Sequence, residues 1–397
     1  MVKKCIIAGT GCALADFLYT SVRFNNIGFL KHLSKKTGDG GLSPGKLVFT
    51  EELEKFSGMP YTEILKEIYG NSVPDNFNIG GPSLVSMIHA SQMLSGSEYE
   101  VRFYGGAGND ETSEKVFGLL KHTPLDISNY KIVSKKPTAF TDVFSDPTYD
   151  EGHGERTFVN NIGAAWDYSP DMLHDDFFRS QIICFGGTAL VPQLHDELTF
   201  LLRKAKQNES ITLVNSVFDF RNEKRNPGKP WPLGNSEESY KLIDVLIMDQ
   251  EESLKISGRN SIEDAALFFS YTKVKSFVIT NGACDILAFS NGQLFERTEI
   301  SKYPVSKMVT SEVKLQGDTT GCGGNFAGGI IASLAWQLKS KEPDHFSLTE
   351  ALSWAVASGG FACSYVGGTY FEKCPGEKLK HIEDYRNAYL KQVGGSN

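Results

Sequence analysis

The sequence predicts an α/β fold: a doubly wound, mostly parallel sheet sandwiched between helices, with a small β-rich lid. Three observations predict it. Short apolar runs alternate with helix-length stretches almost throughout the chain. Glycine is abundant, 39 of 397 residues, and clusters in short loops, where tight turns and close backbone approach to a ligand need it. Residues 137–160 break the rhythm and read as two β stretches around a turn near Asp150–Gly154.

Taken in order, Lys4 to Ala8 (KCIIA) reads as a buried strand. Helical spacing runs from Ser83 to Leu94, after a Gly80–Gly81 turn. A strand at Val101 to Tyr104 precedes a helix at Asp110 to Lys121. Gln181 to Phe185, Ile211 to Val214, Val245 to Met248 and Ser276 to Thr280 read as strands. Helices are expected at Gln193 to Lys206, Gln250 to Ser257 and Ile262 to Tyr271. Two long helices rich in Ala and Gly follow, Gly324 to Leu338 and Thr349 to Tyr365. Residues 17–78 are long and partly polar, and read as partly an insertion of uncertain structure. Asp219 to Asn235 holds three Pro and two Gly and reads as a loop ordered by Trp231. No internal repeat stands out, so residues 1–397 are expected to form one α/β domain with 137–160 contributing the lid. Ligands on such sheets bind at the carboxyl ends of the strands, so the chemistry belongs in strand-to-helix loops.

Composition excludes several classes. Lys and Arg total 40 against 48 Asp and Glu, a net charge of −8. A nucleic-acid footprint needs a basic excess, and the cluster at Lys31 to Lys36 reads as a solvated face. No apolar run approaches the ~18 residues of a membrane-spanning helix, so no membrane partner is expected. The N-terminus, MVKKCIIAGTG, reads as a first strand and turn, not a signal peptide. Seven scattered cysteines without a CxxC point to buried thiols in a reducing, cytoplasmic compartment. The eight histidines show no metal-ligand spacing.

The strongest chemical segment is Gly317 to Gly329, GDTTGCGGNFAGG, a glycine-rich loop that opens directly into an apolar helix. Converging backbone N–H groups and the partial positive charge of a helix N-terminus make an anion site suited to phosphate. No GK[ST] follows, so this is not a P-loop. Gly-Thr-Gly at 9–11 lacks the third glycine of a dinucleotide fingerprint. Other candidates carry two readings each. Asp16 either meets a ligand or caps a helix. Glu252 either serves Mg²⁺ through water or complements a helix dipole. Arg156 meets a phosphate or carboxylate, or an acid within the lid. Asn215 sits at a strand end. Cys322 is a small residue that fits the loop, and a thiol at a helix N-terminus is also a candidate for oxidation.

DTTGCGGNF, Asp318 to Phe326, resembles the DTxGAGDxF signature of the ribokinase-like (PfkB-type) carbohydrate and nucleoside kinases. The resemblance extends over most of the chain. GTGCALAD ends in Asp16, where the family places its sugar-hydroxyl-binding Asp after the first strand. IGGPSLVSMIHASQML matches the Gly-Gly turn and helix through Gly80 and Gly81, and GGAGND matches GxxGxD through Gly105, Gly108 and Asp110. PTAF and GERTFVNNIGAA look like lid strands, with Arg156 among them. MDQEES resembles the NxxE element, with Asp249 for the usual Asn and Glu252 kept. VITNGACDILAF resembles the strand–TxG–strand segment near the nucleotide, and LSWAVASGGFACSYVGG the family's last helix.

The resemblance implies an ATP- and Mg²⁺-dependent kinase acting on a sugar or nucleoside hydroxyl. Asp16, Gly80, Gly81 and Arg156 would meet the acceptor. The amides of Gly321, Cys322 and Gly323 would form the anion hole. Asn215, Asp249, Glu252, Thr280, Gly282 and Asp318 would border the nucleotide, with Glu252 reaching Mg²⁺ through water and Asp318 supporting a monovalent cation. Dimerisation through the lid is implied as well. Three positions depart from the pattern. Gly324 stands where the family has its catalytic Asp, and the amide of adjacent Asn325 is no base at neutral pH. Val85 stands where GGxxxN puts an Asn, and Ala165 where GAN is common; Ser113 replaces a usual Gly. The well-kept loop points to a recent or engineered Asp-to-Gly change in an otherwise competent kinase; natural loss or relocation of the base is the other explanation. A non-catalytic protein that keeps the pocket is the competing function.

Overall fold

The computed structural model describes residues 4–36, 38–70, 73–152, 154–310, 319–340 and 346–394. In chain order the strands are β1 (Cys5–Gly11), β2 (Leu14–Tyr19), β3 (Leu47–Phe49), β4 (Asn76–Gly80), β5 (Tyr99–Gly108), β6 (Asp126–Ser134), β7 (Phe140–Asp146), β8 (Glu155–Asn161), β9 (Ile182–Gly186), β10 (Ile211–Asn215), β11 (Val245–Asp249), β12 (Ser276–Asn281), β13 (Cys284–Ser290) and β14 (Thr298–Tyr303). They form two sheets, a large one ordered β14-β13-β12-β11-β10-β9-β1-β5-β6 and a small one ordered β3-β8-β7-β2-β4.

In the large sheet β6 through β12 run parallel, and β13 and β14 turn back antiparallel. The central strands are apolar runs rather than alternations because both faces are covered. All five residues of β9 are buried, and so are Thr212 to Asn215 of β10. One face packs Met87, Ile330 and Ala355 from three helices; the other packs Leu201 and Phe269 from two more. The chain winds outward from β1 in both directions, to β5 and β6 on one side and β9 to β12 on the other. That is the switch point at which a doubly wound sheet opens a ligand crevice.

The lid is larger than the sequence suggests. Residues 137–160 do form a hairpin, β7 and β8, and its turn passes through Asp150 (φ 50°) and Glu151 (φ 58°). Strands from the unparsed region complete the sheet: β2 joins β7 in parallel, β4 joins β2, and the three-residue β3 joins β8. Residues 17–78 also supply helices Ile27–Lys31, Thr50–Ser57 and Tyr61–Tyr69. These cover the outer face of the lid, with Phe29, Leu53 and Ile64 buried against Phe144 and Val159. On that face the buried Tyr61 hydroxyl donates to Asp142 of β7, and burial pushes the Asp142 carboxyl up to about 7.

Smaller differences follow local chemistry. The expected Gln193–Lys206 helix breaks at Glu197 into Pro192–Asp196 and Leu198–Gln207. The Asp219–Asn235 loop contains a short helix, Phe220–Arg225, and is ordered by Trp231 as expected: the ring is buried and its N–H donates to Glu223 at 2.9 Å. The Thr349–Tyr365 helix stops at Ala362 and is followed by one more, Glu377–Gly394. No helix among the described residues is long and apolar enough to cross a membrane.

Candidate functional site

A cavity of about 240 Å³ opens at the carboxyl ends of β10, β11 and β12 under the lid. Asp16, Gly80, Gly81 and Val85 line it on the lid side; Asn215, Asp249, Glu252 and Thr280 line it from the strand ends. Gly321, Gly323 and Gly324 close it from the glycine-rich loop. The structure therefore brings together nearly all the residues that the sequence singled out. Asp318 lies outside the described residues.

The loop owes its shape to glycine at one point. Gly321 sits at φ 77°, and a Cβ there would lie 2.5 Å from the Gly368 backbone. It starts the Cys322–Lys339 helix, and no side chain caps that helix. The Cys322 amide donates to Thr319 O at 3.3 Å, while Gly323 and Gly324 of the first turn line the cavity at the helix N-terminus, the arrangement that binds an anion. A Cβ on Gly323 would meet nothing within 4 Å, so the glycine keeps the cavity floor open.

On the acceptor side, Asp16 is buried in β2. A Cβ on Gly80 would fall 2.1 Å from Asp16 Oδ2. Glycine at 80 is what lets the carboxylate lie against the β4 backbone and reach the cavity. Gly81, at φ 85°, then turns the chain into the Pro82–Met93 helix.

The lid is held down by side chains. Arg156 of β8 reaches across to donate to the hydroxyls of Thr319 and Thr320 at the mouth of the anion loop. Phe49 packs at a tilt against Phe220, 4.1 Å between centroids, and Lys224 pairs with Glu52 at 2.6 Å. The guanidinium thus sits at the anion loop, where it can meet a group bound in the cavity.

At the end of β11, Asp249 and Glu252 cap the Gln250–Ser257 helix reciprocally: Asp249 accepts from the Glu252 amide at 2.8 Å, and Glu252 accepts from the Asp249 amide at 3.0 Å. The Ser216 hydroxyl donates to Glu252 at 2.5 Å. Burial, with the Asp249 charge beside it, pushes the Glu252 carboxyl up. No group of three or more His, Cys, Asp or Glu that could hold a metal occurs among the described residues. An oxygen-only pair already engaged in capping fits Mg²⁺ held mainly by its waters and by phosphates, with Asp249 and Glu252 as outer partners.

A second cavity, of about 390 Å³, adjoins the first through Thr280, Gly323 and Phe326. Its walls are mostly apolar, with Ile286, Val305, Val309 and Val356 among them, and include Gly282, Cys322, Gly359 and Cys363. Its apolar lining suits an apolar group.

Two features were invisible in the sequence. The departures at 85 and 324 touch: a Cβ on Gly324 would lie 2.9 Å from Val85 Cγ1 and 3.0 Å from Val85 Cβ. Beneath the loop, buried Asn325 joins three helices, and His89 extends the network to a fourth. Its amide N–H₂ donates to Gly321 O at 2.9 Å and Gly368 O at 3.0 Å. Its Oδ1 meets His89 Nδ1 at 2.8 Å, Lys378 Nζ at 3.0 Å and the Tyr365 hydroxyl at 3.3 Å. His89 Nε2 meets Ser358 Oγ at 2.9 Å, and Lys378 donates also to Gln92 at 3.0 Å. Burial pushes Lys378 down to about 7 and holds His89 well below its ordinary value. Lys378, one of three lysines in a charged C-terminal helix, gives no sign of this; the only sequence hint was Asn325 itself, a polar residue entering an apolar helix.

The pfkB family carbohydrate kinase pattern matches residues 76–374. Among solved structures, adenosine kinase from Schistosoma mansoni in complex with 2-fluoroadenosine superposes with a TM-score of 0.68 at 16% identity, over 92% of this chain and 97% of that one. Adenosine kinase from Sinorhizobium meliloti gives 0.68 at 16% identity, over 97% and 99%. Arabidopsis thaliana ribokinase complexed with ribose and ATP gives 0.62 at 14% identity, over 96% and 99%. At such identities these likenesses speak for a shared ribokinase-like fold. With the family pattern covering three quarters of its length, the chain belongs to the pfkB family of carbohydrate kinases.

Proposed function

We propose that the chain binds ATP and a hydroxyl-bearing carbohydrate or nucleoside in the cleft and transfers the γ-phosphate slowly, because nothing at position 324 takes the acceptor proton. The observation that carries the reading is one shared cavity: a buried carboxylate, Asp16, faces the uncapped amides of a glycine-rich helix start. Asp16 and the Gly80–Gly81 turn orient the acceptor hydroxyls. The Gly321–Gly323 amides stabilise charge on the transferring phosphoryl group. The apolar second cavity takes the purine, bordered by Thr280 and Gly282, and Asn215 lines the way between. Asp249 and Glu252 would hold Mg²⁺ through its waters, and the ion would supply charge neutralisation at the phosphates. Arg156 keeps the lid against the anion loop, which excludes water.

Phosphoryl transfer depends mainly on positioning and electrostatics. Loss of a general base costs about 10²–10⁴-fold. The fit of Val85 against Gly324 supports a matched pair rather than a lone exchange of Asp for Gly, because an Asp stem at 324 has no room beside Val85. It also favours the second reading, a binding protein that senses sugar and nucleotide without turnover. ATP-dependent phosphorylation of a panel of sugars and nucleosides, measured on this chain and on Val85→Ala/Gly324→Asp, decides between them. A panel substrate that turns over, faster in the double variant, supports the kinase. ATP binding with no turnover in either protein supports the binding reading.

A further inference from the structure

Two thiols meet in the wall of the second cavity. Cys322 Sγ and Cys363 Sγ are 3.3 Å apart, although 41 residues separate them in the chain. Both side chains line the cavity. Cys322 is the first residue of the Cys322–Lys339 helix, directly after Gly321, and Cys363 follows the last turn of the Leu348–Ala362 helix. The other cysteines differ. Cys5, Cys12 and Cys184 are buried, and burial pushes their thiols up, Cys5 to about 11. Cys284 and Cys374 are exposed on the surface.

We propose that Cys322 and Cys363 form a reversible disulfide that shuts the nucleotide side of the cleft. The oxidant is a low-molecular-weight disulfide of the glutathione class. Cys322 is the attacking group, because it is the less buried of the two and the helix N-terminus beside it favours negative charge. Its thiolate attacks one sulfur of glutathione disulfide, breaks that S–S bond and releases one glutathione thiolate. The Cys363 thiol gives up its proton, attacks the Cys322 sulfur of the mixed disulfide and expels the second glutathione thiolate. The protein loses two protons and two electrons; one glutathione disulfide becomes two glutathione thiols.

The geometry requires little movement and places it where it matters. The sulfurs must approach by about 1.2 Å to reach the ~2.05 Å of a disulfide. The two elements already touch near this point: a Cβ on Gly359 would meet Cys322 O at 3.4 Å. Drawing Cys322 toward Cys363 therefore moves the first residue of the anion helix and with it Gly323, which lines both cavities. It also stiffens the wall between Gly323 and Gly359, across which the purine must fit. The bridge thus weakens nucleotide binding from both ends of the ligand.

This rests on the proposed nucleotide reading for its effect, but the bridge is detected without it. The full-length reduced chain is equilibrated in a series of oxidised-to-reduced glutathione ratios. Non-reducing peptide mapping by mass spectrometry then looks for a fragment joining Cys322 to Cys363. In parallel, binding of a fluorescent ATP analogue is titrated before oxidation, after oxidation and after dithiothreitol. The expected result is a Cys322–Cys363 cross-linked fragment, with nucleotide affinity about tenfold or more weaker and recovered on reduction. In Cys363→Ser and in Cys363→Ala, the oxidised-to-reduced affinity ratio is expected to be one, while Cys284→Ser/Cys374→Ser keeps the full response. Absence of the cross-link, with glutathione found only as adducts, overturns the proposal; so does a bridge that leaves nucleotide affinity unchanged. If the reduced chain binds no nucleotide at all, the functional reading fails instead, and the cross-link alone still decides whether the site exists.

Discussion

Val85 Cγ1 lies 2.9 Å from the point a Cβ on Gly324 would occupy. The residue that departs from the family's acceptor-holding Asn thus fills the space beside the residue that departs from the family's catalytic Asp. Gly324→Asp alone is therefore expected to overpack the helix start, lowering stability by about 1–3 kcal/mol, and to give little turnover. Val85→Ala/Gly324→Asp removes the 2.9 Å contact and leaves only the Val85 Cβ position at 3.0 Å to relax. Its turnover is expected to exceed that of the parent chain by about 10²-fold or more. Thermal denaturation and a phosphorylation assay on both variants check this. Equal activity of the single and double variants would count against steric coupling.

Arg156 bridges the lid to Thr319 and Thr320. Hydrogen bonds from a charged donor contribute about 1.5–3 kcal/mol. Arg156→Ala is expected to lower kcat/KM by about ten- to a hundredfold on that basis. The melting temperature should hardly move, because the side chain is partly solvated. Arg156→Lys should rescue little, since one ammonium cannot make both contacts in the same fork. A matching fall in melting temperature would indicate a structural role instead.

Asp142 carries a carboxyl raised from 3.8 to about 7 by burial. A raised acid binds more protons folded than unfolded between those values, so this group makes stability fall as pH rises from about 4 to 7. Asp142→Asn keeps an acceptor for the Tyr61 hydroxyl and removes the titration. The melting temperature of the variant relative to the parent is expected to climb between pH 5 and pH 8. A difference that stays flat with pH would mean that Asp142 stays ionised in the fold.

Lys378 runs the other way. Burial lowers its ammonium from 10.5 to about 7. The unfolded chain then binds more protons between about 7 and 10, so the contribution of this group to stability rises over that range. Lys378→Met nearly conserves volume but leaves Gln92 Oε1 without its donor and Asn325 Oδ1 with one fewer. Its melting temperature relative to the parent is expected to drop as pH goes from 7 to 9.5. Charged and titratable neighbours bear on the reading: His89 meets the same Asn325 oxygen, and Glu372 lies near enough to oppose the shift.

What was legible in the sequence follows from how each element is coded. The parallel strands are apolar runs ended by small or polar residues, so β9 to β12 fall within a residue or two of expectation. The anion loop declares itself by glycine density, and the cavity residues by motif order. The lid was half legible. Strands β2 and β4 pair at Asp16 and Asn78, where buried polar residues replace the apolar alternation of an ordinary strand. β3 is three residues long, too short to carry a period. The Glu377–Gly394 helix is mostly charged, with Lys378, Ile382 and Tyr389 its buried contacts. The contact between Val85 and Gly324 had no sequence signature: each was legible as a departure from its motif, but nothing in either motif says that the two positions are neighbours.

The strands of the lid do not come from one inserted module. The chain passes between the two sheets at Cys12–Ala13, at Gly81, over 135–139 and at Ile162. A cap sewn in this way cannot be exchanged as a unit, since any transplant would have to cut and rejoin the body at each passage while keeping the register of both sheets. New acceptor preferences in this lineage would therefore arise by single substitutions on the cap's inner face, such as around Asp16, Thr141 and Asn160, which lie side by side on neighbouring strands.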